Sequence, residues 1–246
     1  MDDSNNPYRV IILAAGIGSR LRPLTLKKPK ALLNVGKRSI IDYEISSFVK
    51  CGVRNLHIVV GYKAMMIIRH LHRYFRYPQV EVSYIYNPKY KETNTAYSLW
   101  LASTNFLEGT TFVVNGDTLL SPEAISRMLS SHASCLGYSK HLCGHEEVKL
   151  RLLDDRVVEI GKNLDPKEAD GEYVGLAMFD RKTGKYFRHA LDEAVKNGKI
   201  NLYYDDIIQK LTAKFYIKAV DLTDLPVMEI DTLEELEEAN AIYERN

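Results

Sequence analysis

The run Val10-Ile-Ile-Leu13, followed by Ala14-Ala15-Gly16-Ile17-Gly18, constrains the fold more than any other stretch of the chain. Consecutive apolar residues suit a strand buried on both faces, as in parallel sheets covered by helices. The small residues straight after it let backbone come close to a bound group. Ser19-Arg20 and then Pro29-Lys30 add a hydroxyl and fixed positive charge, Arg as a planar fork and Lys as a point charge, both suited to phosphate oxygens. Strand, small-residue loop and cations in that order imply an α/β chain that grips a triphosphate. A glycine turn with solvated basic residues after it is the plainer alternative.

Two rival phosphate motifs fail on spacing. A dinucleotide fingerprint needs a third glycine where this chain has Leu21, and a P-loop needs Gly-Lys-Ser/Thr where it has Gly36-Lys37-Arg38. The segment instead resembles the signature of the nucleotidyltransferases that activate sugar phosphates and phosphocholine, which runs Gly-x-Gly-Ser/Thr-Arg-Leu/Met, Pro-Leu-Thr, then Lys. Gly16, Gly18, Ser19, Arg20, Leu21, Pro23, Leu24, Thr25, Pro29 and Lys30 match it in order. The resemblance implies a single-domain, Rossmann-like α/β fold with a mixed, mainly parallel sheet flanked by helices and a small antiparallel insertion. Its nucleotide-binding half would cover about 8–132 and its acceptor-binding, closing half about 133–246.

The 246 residues can bury a substantial core, and 33 basic against 32 acidic residues leave no excess charge for a nucleic-acid footprint. Any anion site must be local. No apolar run approaches the roughly 20 residues that span a bilayer, and Met1-Asp-Asp-Ser-Asn-Asn-Pro7 has none of the regions of a signal peptide, so the expectation is a cytoplasmic monomer or homodimer without a membrane partner. Cys51, Cys135 and Cys143 suggest reduced thiols rather than a disulfide framework. The grouping Cys135, His141, Cys143, His145 matches no structural zinc spacing.

Strand-like runs at Val10–Leu13, Asn55–Val60, Val80–Tyr86 and Thr111–Asn115 alternate with helical patterns marked by Ile41/Ile45/Phe48, by Met66 with Arg69–Phe75, and by Ala96/Leu99/Trp100. That alternation predicts crossover units in a parallel sheet, with the ligand beyond the carboxyl ends of the strands. Ala133–Ser139, Val148–Leu153, Val157–Ile160 and Tyr173–Phe179 read as an inserted antiparallel layer. Helices over Arg181–Lys196 and Asp205–Leu211, strands Phe215–Val220 and Val227–Ile230, and a helix Leu233–Tyr243 complete the chain.

Asp117 follows a strand, and Asp231 follows a late one. Magnesium usually takes one or two carboxylates together with phosphate oxygens and water, which two strand-end aspartates can supply. Both match metal-binding acids of the resembling family, which implies Mg2+ held by Asp117 and Asp231. Asp117 could otherwise belong to a Gly-Asp turn and Asp231 to a helix cap, and Glu229 could serve as a ligand in its place.

The resemblance also implies nucleotide contacts from Leu13, Ala14, Ala15, Gly16, Gly18 and Ser19, from Asn87, Asn94, Thr95 and Ala96 of a later loop, and from Gly116. Arg20, Lys30 and Lys162 would act catalytically, and Lys162, Glu172, Tyr173, Gly175, Tyr203 and Asp205 would meet the acceptor. Asn94 and Asp205 could equally cap the helices that follow them. The Asn-rich loop is closer to the phosphocholine and aminoethylphosphonate cytidylyltransferases than to the sugar-phosphate enzymes. The implied partners are CTP, or another pyrimidine triphosphate, and a small phosphorylated or phosphonate acceptor. A sugar-1-phosphate uridylyl- or thymidylyltransferase and a non-catalytic nucleotide-binding regulator are the alternatives.

Overall fold

The computed structural model describes residues 7–74, 80–141 and 143–243. The first half runs β1 (Tyr8–Ala14), α1 (Leu24–Lys27), the hairpin β2 (Asn34–Val35) and β3 (Arg38–Ser39), α2 (Ile40–Lys50), β4 (Asn55–Val60), α3 (Ala64–Tyr74), β5 (Glu81–Tyr86), α4 (Thr95–Leu101) and β6 (Thr110–Asn115). The expected helix end at Phe75 lies outside the described residues. β5, β4, β1 and β6 are parallel neighbours in that order. The chain therefore steps outward from β1 through β4 to β5 and then returns to the other side of β1. That reversal opens a crevice beyond the carboxyl ends of β1 and β6, where Leu13 and Asn115 lie in register.

β1 is buried on both faces because its side chains alternate between two apolar layers. Val10, Ile12 and Ala14 pack with Ile41, Ile45 and Phe48 of α2 and Ile67 and Leu71 of α3. Ile11 and Leu13 pack with Leu99 of α4 and with Phe187 and Leu191, which belong to a later helix. Val10, Ile11 and Ile12 have no exposed surface, and each such side chain contributes roughly 1.5–3 kcal/mol.

The second half runs β7 (Thr118–Leu119), α5 (Pro122–Leu129), β8 (Cys135–Ser139), β9 (Lys149–Leu153), β10 (Arg156–Gly161), β11 (Gly171–Phe179), α6 (Arg181–Lys196), α7 (Tyr204–Thr212), β12 (Lys218–Asp221), β13 (Met228–Glu229) and α8 (Leu233–Tyr243). The antiparallel strands form, but not as a layer of their own. β11 pairs antiparallel with β6, and the same sheet continues through β8, β12, β10 and β9, nine strands among the described residues. The reason lies in β11, which sends Val174, Leu176 and Met178 into one apolar layer and Tyr173, Ala177 and Phe179 into the other. A strand apolar on both faces needs helices on both sides.

Two local expectations shift. Sequence periodicity gave no helix at α5, which starts where Ser121 Oγ accepts the Ala124 N–H at 3.3 Å with Pro122 in the first turn. The strand expected from Phe215 begins at Lys218, because the N–H groups of Lys214 and Phe215 both bond the Leu211 carbonyl and extend the turn after α7.

A third, smaller apolar cluster positions the site. Leu21 and Leu33 from the loops after β1 pack with Leu119 of β7, with Ile230 and with Leu236 of α8. β7 and β13 pair as a two-residue ribbon, and the Ile230 N–H donates to the Asp117 carbonyl at 3.0 Å. α8 is tied back to the β2–β3 turn by the Gly36 N–H, which donates to Asn240 Oδ1 at 2.8 Å. Among the described residues no helix is long and apolar enough to cross a membrane.

Candidate active site

The loop after β1 turns at Gly18, whose φ of 64° lies in the left-handed region that favours glycine. A Cβ there would come within 3.0 Å of the Lys30 Cβ, so the missing side chain also lets the loop lie against Lys30. Ala31, Leu32 and Leu33 are buried, which anchors the short turn that begins at Lys30 and leaves the lysine to reach across the crevice. Its Nζ lies 2.6 Å from Asp117 Oδ2 and 2.5 Å from Asp231 Oδ1. Arg20 Nη2 lies 2.6 Å from Asp231 Oδ2. Four charged groups distant in sequence thus meet at one point.

Asp231 is free to do this because another pair caps the helix. The Glu235 N–H donates to Thr232 Oγ1 at 3.2 Å, and Glu235 Oε2 accepts the N–H groups of Asp231 and Thr232 at 2.5 and 2.8 Å. That Thr–Glu arrangement is a capping box, and it leaves the Asp231 carboxylate facing the cations. Burial works to raise the Asp231 pKa, but Lys30 and Arg20 outweigh it and hold the carboxyl below its ordinary value. Burial likewise works to lower the Lys30 ammonium, and Asp117 and Asp231 more than offset it, so its pKa is raised.

The two carboxylates fit a divalent ion on two counts. Asp117 Oδ1 is buried with no hydrogen-bond partner, and the Lys30 ammonium already bridges both acids as a stand-in cation. Among the described residues no group of three or more His, Cys, Asp or Glu side chains is arranged for a metal. Two acids with substrate phosphates and water are the kind of donor set that magnesium uses.

Behind the acids lie two further buried carboxyls. Glu229 Oε1 accepts from Asn115 Nδ2 at 2.7 Å, and burial, then the charge of Asp117, raise its pKa well above the carboxylate range. Gly175, at φ 70° in β11, makes room for it, since a Cβ there would collide with the Glu229 carboxylate and sit 2.8 Å from Asn115 Nδ2. Glu44 of α2 is wholly buried, and the backbone of Thr118 approaches its carboxylate outside good hydrogen-bond geometry. Burial first, and Asp117 second, push its pKa well up. A raised carboxyl pKa means that stability is fully present below the unfolded-state value and is lost as pH rises through the folded-state value. Glu44→Gln is therefore expected to melt higher than wild type at pH 8, by roughly 2–4 °C for each kcal/mol relieved out of about 1–3 kcal/mol. The gap should close at about pH 4, below the ordinary Glu value of 4.5, and thermal scans at the two pH values test this; equal gaps would be the contrary result.

These groups border a cavity of about 640 Å³. Leu13, Ala15, Gly16, Arg20, Asn94, Thr95, Asp117, Lys162, Glu172, Tyr203, Asp205 and Asp231, all expected from the sequence, line it together. Asn94 both lines the cavity and caps α4, its Oδ1 accepting the Thr95 N–H at 2.9 Å. Asp206 rather than Asp205 takes the cap of α7, accepting the Tyr203 N–H at 2.9 Å. Asp205 is left only 5% exposed, and burial raises its pKa to about 6. Lys162 sits over the Tyr203 ring, 5.3 Å from its centroid.

Other expected residues shape the cavity from behind. Ala14 is buried in the core, and Ser19 is exposed beside Arg20. Gly116 packs on Leu13, with its N–H on the Leu13 carbonyl at 3.1 Å. Asn87, Ala96 and Tyr173 turn into the fold instead of facing a ligand. The Asn87 amide, 1% exposed, donates to Ser98 Oγ at 3.0 Å and Thr93 Oγ1 at 3.2 Å and so braces the loop that carries Asn94. Ala96 is core, and the Tyr173 hydroxyl meets that of Tyr204 at 2.7 Å, so that of these two rings only Tyr204 lines the cavity, beside Tyr203 and Tyr90.

Sequence reasoning missed a run of acids on the same wall: Glu146 and Glu147 before β9, and Glu235 and Glu238 on α8. Their letters read as solvated loop and helix. The spacing of Glu235 and Glu238 on one helix face was the available signal. His141 was also missed as a lining residue; its Nε2 lies 2.8 Å from Glu172 Oε2. Burial raises the Glu172 pKa, and His141 opposes it.

A parallel half-sheet, a small-residue loop with two cations, and a pair of strand-end acids at the switch point define a nucleotide-binding enzyme site. Residues 9–149, more than half of the chain, match the family model for nucleotidyl transferases, and the chain belongs to that family. It is 30% identical over 229 residues to a 2-aminoethylphosphonate cytidylyltransferase of Lancefieldella rimae, across 92% of this chain and 89% of that one. It is 26% identical over 230 residues to a choline-phosphate cytidylyltransferase of Streptococcus pneumoniae, across 92% and 94%. The solved structure of CTP:phosphocholine cytidylyltransferase from Streptococcus pneumoniae shares the fold, with a TM-score of 0.79 at 24% identity, covering 97% of this chain and 100% of that one. The protein is a nucleotidyltransferase enzyme with the mixed α/β fold of that family.

Proposed function

We propose that the protein transfers CMP from CTP to a small phosphorylated or phosphonate acceptor with a cationic amine, releases pyrophosphate, and uses Mg2+. The observation that carries this is the meeting of Arg20, Lys30, Asp117 and Asp231 beside a cavity that Lys162 and several acids also line. The relatives act on choline phosphate and 2-aminoethylphosphonate, which supports CTP as the donor and an amine on the acceptor.

A phosphomonoester or phosphonate is largely dianionic at neutral pH, so its oxygen can attack the α-phosphorus without a protein base. The new O–P bond forms as the bond to the bridging oxygen breaks, and the electron pair leaves with pyrophosphate. Positioning and charge neutralisation are what the protein must supply. Arg20 and Lys30 face the departing pyrophosphate, and Lys162 draws in the incoming anion. Asp117 and Asp231 would hold Mg2+, which when bound neutralises charge on the phosphates. Glu146, Glu147, Glu172, Asp205 and Glu238 favour a cation on the acceptor over a neutral sugar.

The test is pyrophosphate release with each of four nucleoside triphosphates against phosphocholine, phosphoethanolamine, 2-aminoethylphosphonate and hexose 1-phosphates. Turnover is expected with CTP and an amine-bearing acceptor. Preference for UTP or dTTP with a hexose phosphate, or no turnover with CTP, overturns the assignment.

A further inference from the structure

Lys149 opens β9 and has no exposed surface, an uncommon position for a lysine. Taking an ammonium out of water is expensive unless its three donors find acceptors. Here they converge on the chain just ahead of it, with Nζ 3.2 Å from the carbonyl of Gly144, 3.4 Å from that of His145 and 2.9 Å from that of Glu147. The loop so held, Cys143–Val148, sends Glu146, Glu147 and Val148 to the cavity wall. Glu147 Oε2 is buried beside Gly144 of the same loop without a hydrogen-bond partner. In the sheet, Lys149 stands in register with Glu172 on one side and with Gly161, the neighbour of Lys162, on the other. A role in stability alone does not account for this arrangement, because a methionine would fill the same volume, and replacing buried charge by apolar packing is often neutral or stabilising.

We propose that Lys149 is a positioning residue for acceptor binding: its ammonium clasps three carbonyls and fixes the Cys143–Val148 loop in the shape that turns Glu146 and Glu147 toward the acceptor's cationic end. This rests on the reading of the acid-lined cavity wall as the acceptor subsite. Lys149 touches no substrate and acts through the loop.

The test uses Lys149→Met in the full chain, with whichever nucleotide and acceptor the wild-type protein turns over. The KM for the acceptor is expected to rise about tenfold or more, because a misplacement near 1 Å can cost a hundredfold, while the nucleotide KM stays within twofold of wild type. Hydrogen exchange across Cys143–Val148, which needs no turnover, is expected to speed up. An unchanged acceptor KM, an equal rise in both KM values, or unchanged exchange in the loop would overturn the proposal. Lys149→Arg covers the case in which the Met variant does not fold. It keeps the charge, but a planar fork cannot meet three converging carbonyls as an ammonium does, so it too must raise the acceptor KM alone. A wild-type protein that refuses CTP but accepts another nucleotide would overturn the function proposed above and leave this test standing.

Discussion

Asp117→Asn yields a protein that folds and turns over at least about a hundredfold more slowly than wild type, the usual loss when one well-placed electrostatic partner is removed. The substitution keeps shape and removes charge. Oδ2 of Asp117 accepts from Lys30, a bond that the amide oxygen of Asn can keep, and Oδ1 is buried without a partner. Stability should change little, because the lost charge partner of Lys30 is offset by relief of Glu44 and Glu229, whose pKa values the Asp117 charge raises. Melting temperature and steady-state turnover, measured on one preparation, separate the two effects. A variant with wild-type turnover would mean that the reaction centre lies elsewhere.

Lys30→Met is expected to do two kinds of damage. Turnover falls by on the order of a hundredfold through lost charge on the departing pyrophosphate. Stability falls as well, because the lysine is 11% exposed while the acids it joins retain 25% and 28% of their surface, and removing one member of a largely buried ion group costs up to roughly 3–5 kcal/mol, less for the solvent that reaches the acids. A divalent ion binding between Asp117 and Asp231 should repair part of that loss. Addition of Mg2+ should therefore raise the melting temperature of Lys30→Met more than that of wild type, where the ammonium already occupies the gap. Identical melting curves with Mg2+ and with chelator in the variant would show that the acids do not take the ion.

Much of the nucleotide half was legible because its signals are local. Val10–Leu13 needed two apolar layers, although the strand runs on to Tyr8 and Ala14, and Asn55–Val60 carries a full strand period whose bounds follow from pattern, as do those of the helix Arg181–Lys196 in the other half. Asp117 and Asp231 could be named from strand ends, but their meeting at Lys30 could not be derived, since it depends on a ribbon of two residues on each side, too short to carry a period. Competition for helix caps was also invisible. Asp231 was a candidate cap until Glu235 and Thr232 were seen to take that role, and Asp206 displaced Asp205 in the same way. Asn87 has the letter of a ligand residue and the geometry of a loop brace. The acids of Cys143–Val148 looked like solvent-facing loop because the buried lysine that bonds the loop's carbonyls follows them in the chain.

The contact between Lys30 and Asp231 spans 201 positions of the chain. Contacts of such separation close late, after local helices and neighbouring strands have formed, because the intervening loop entropy must be overcome first. The loop closure that brings Asp231 to Lys30 therefore completes the acid pair only after the parallel strands around β1 have paired.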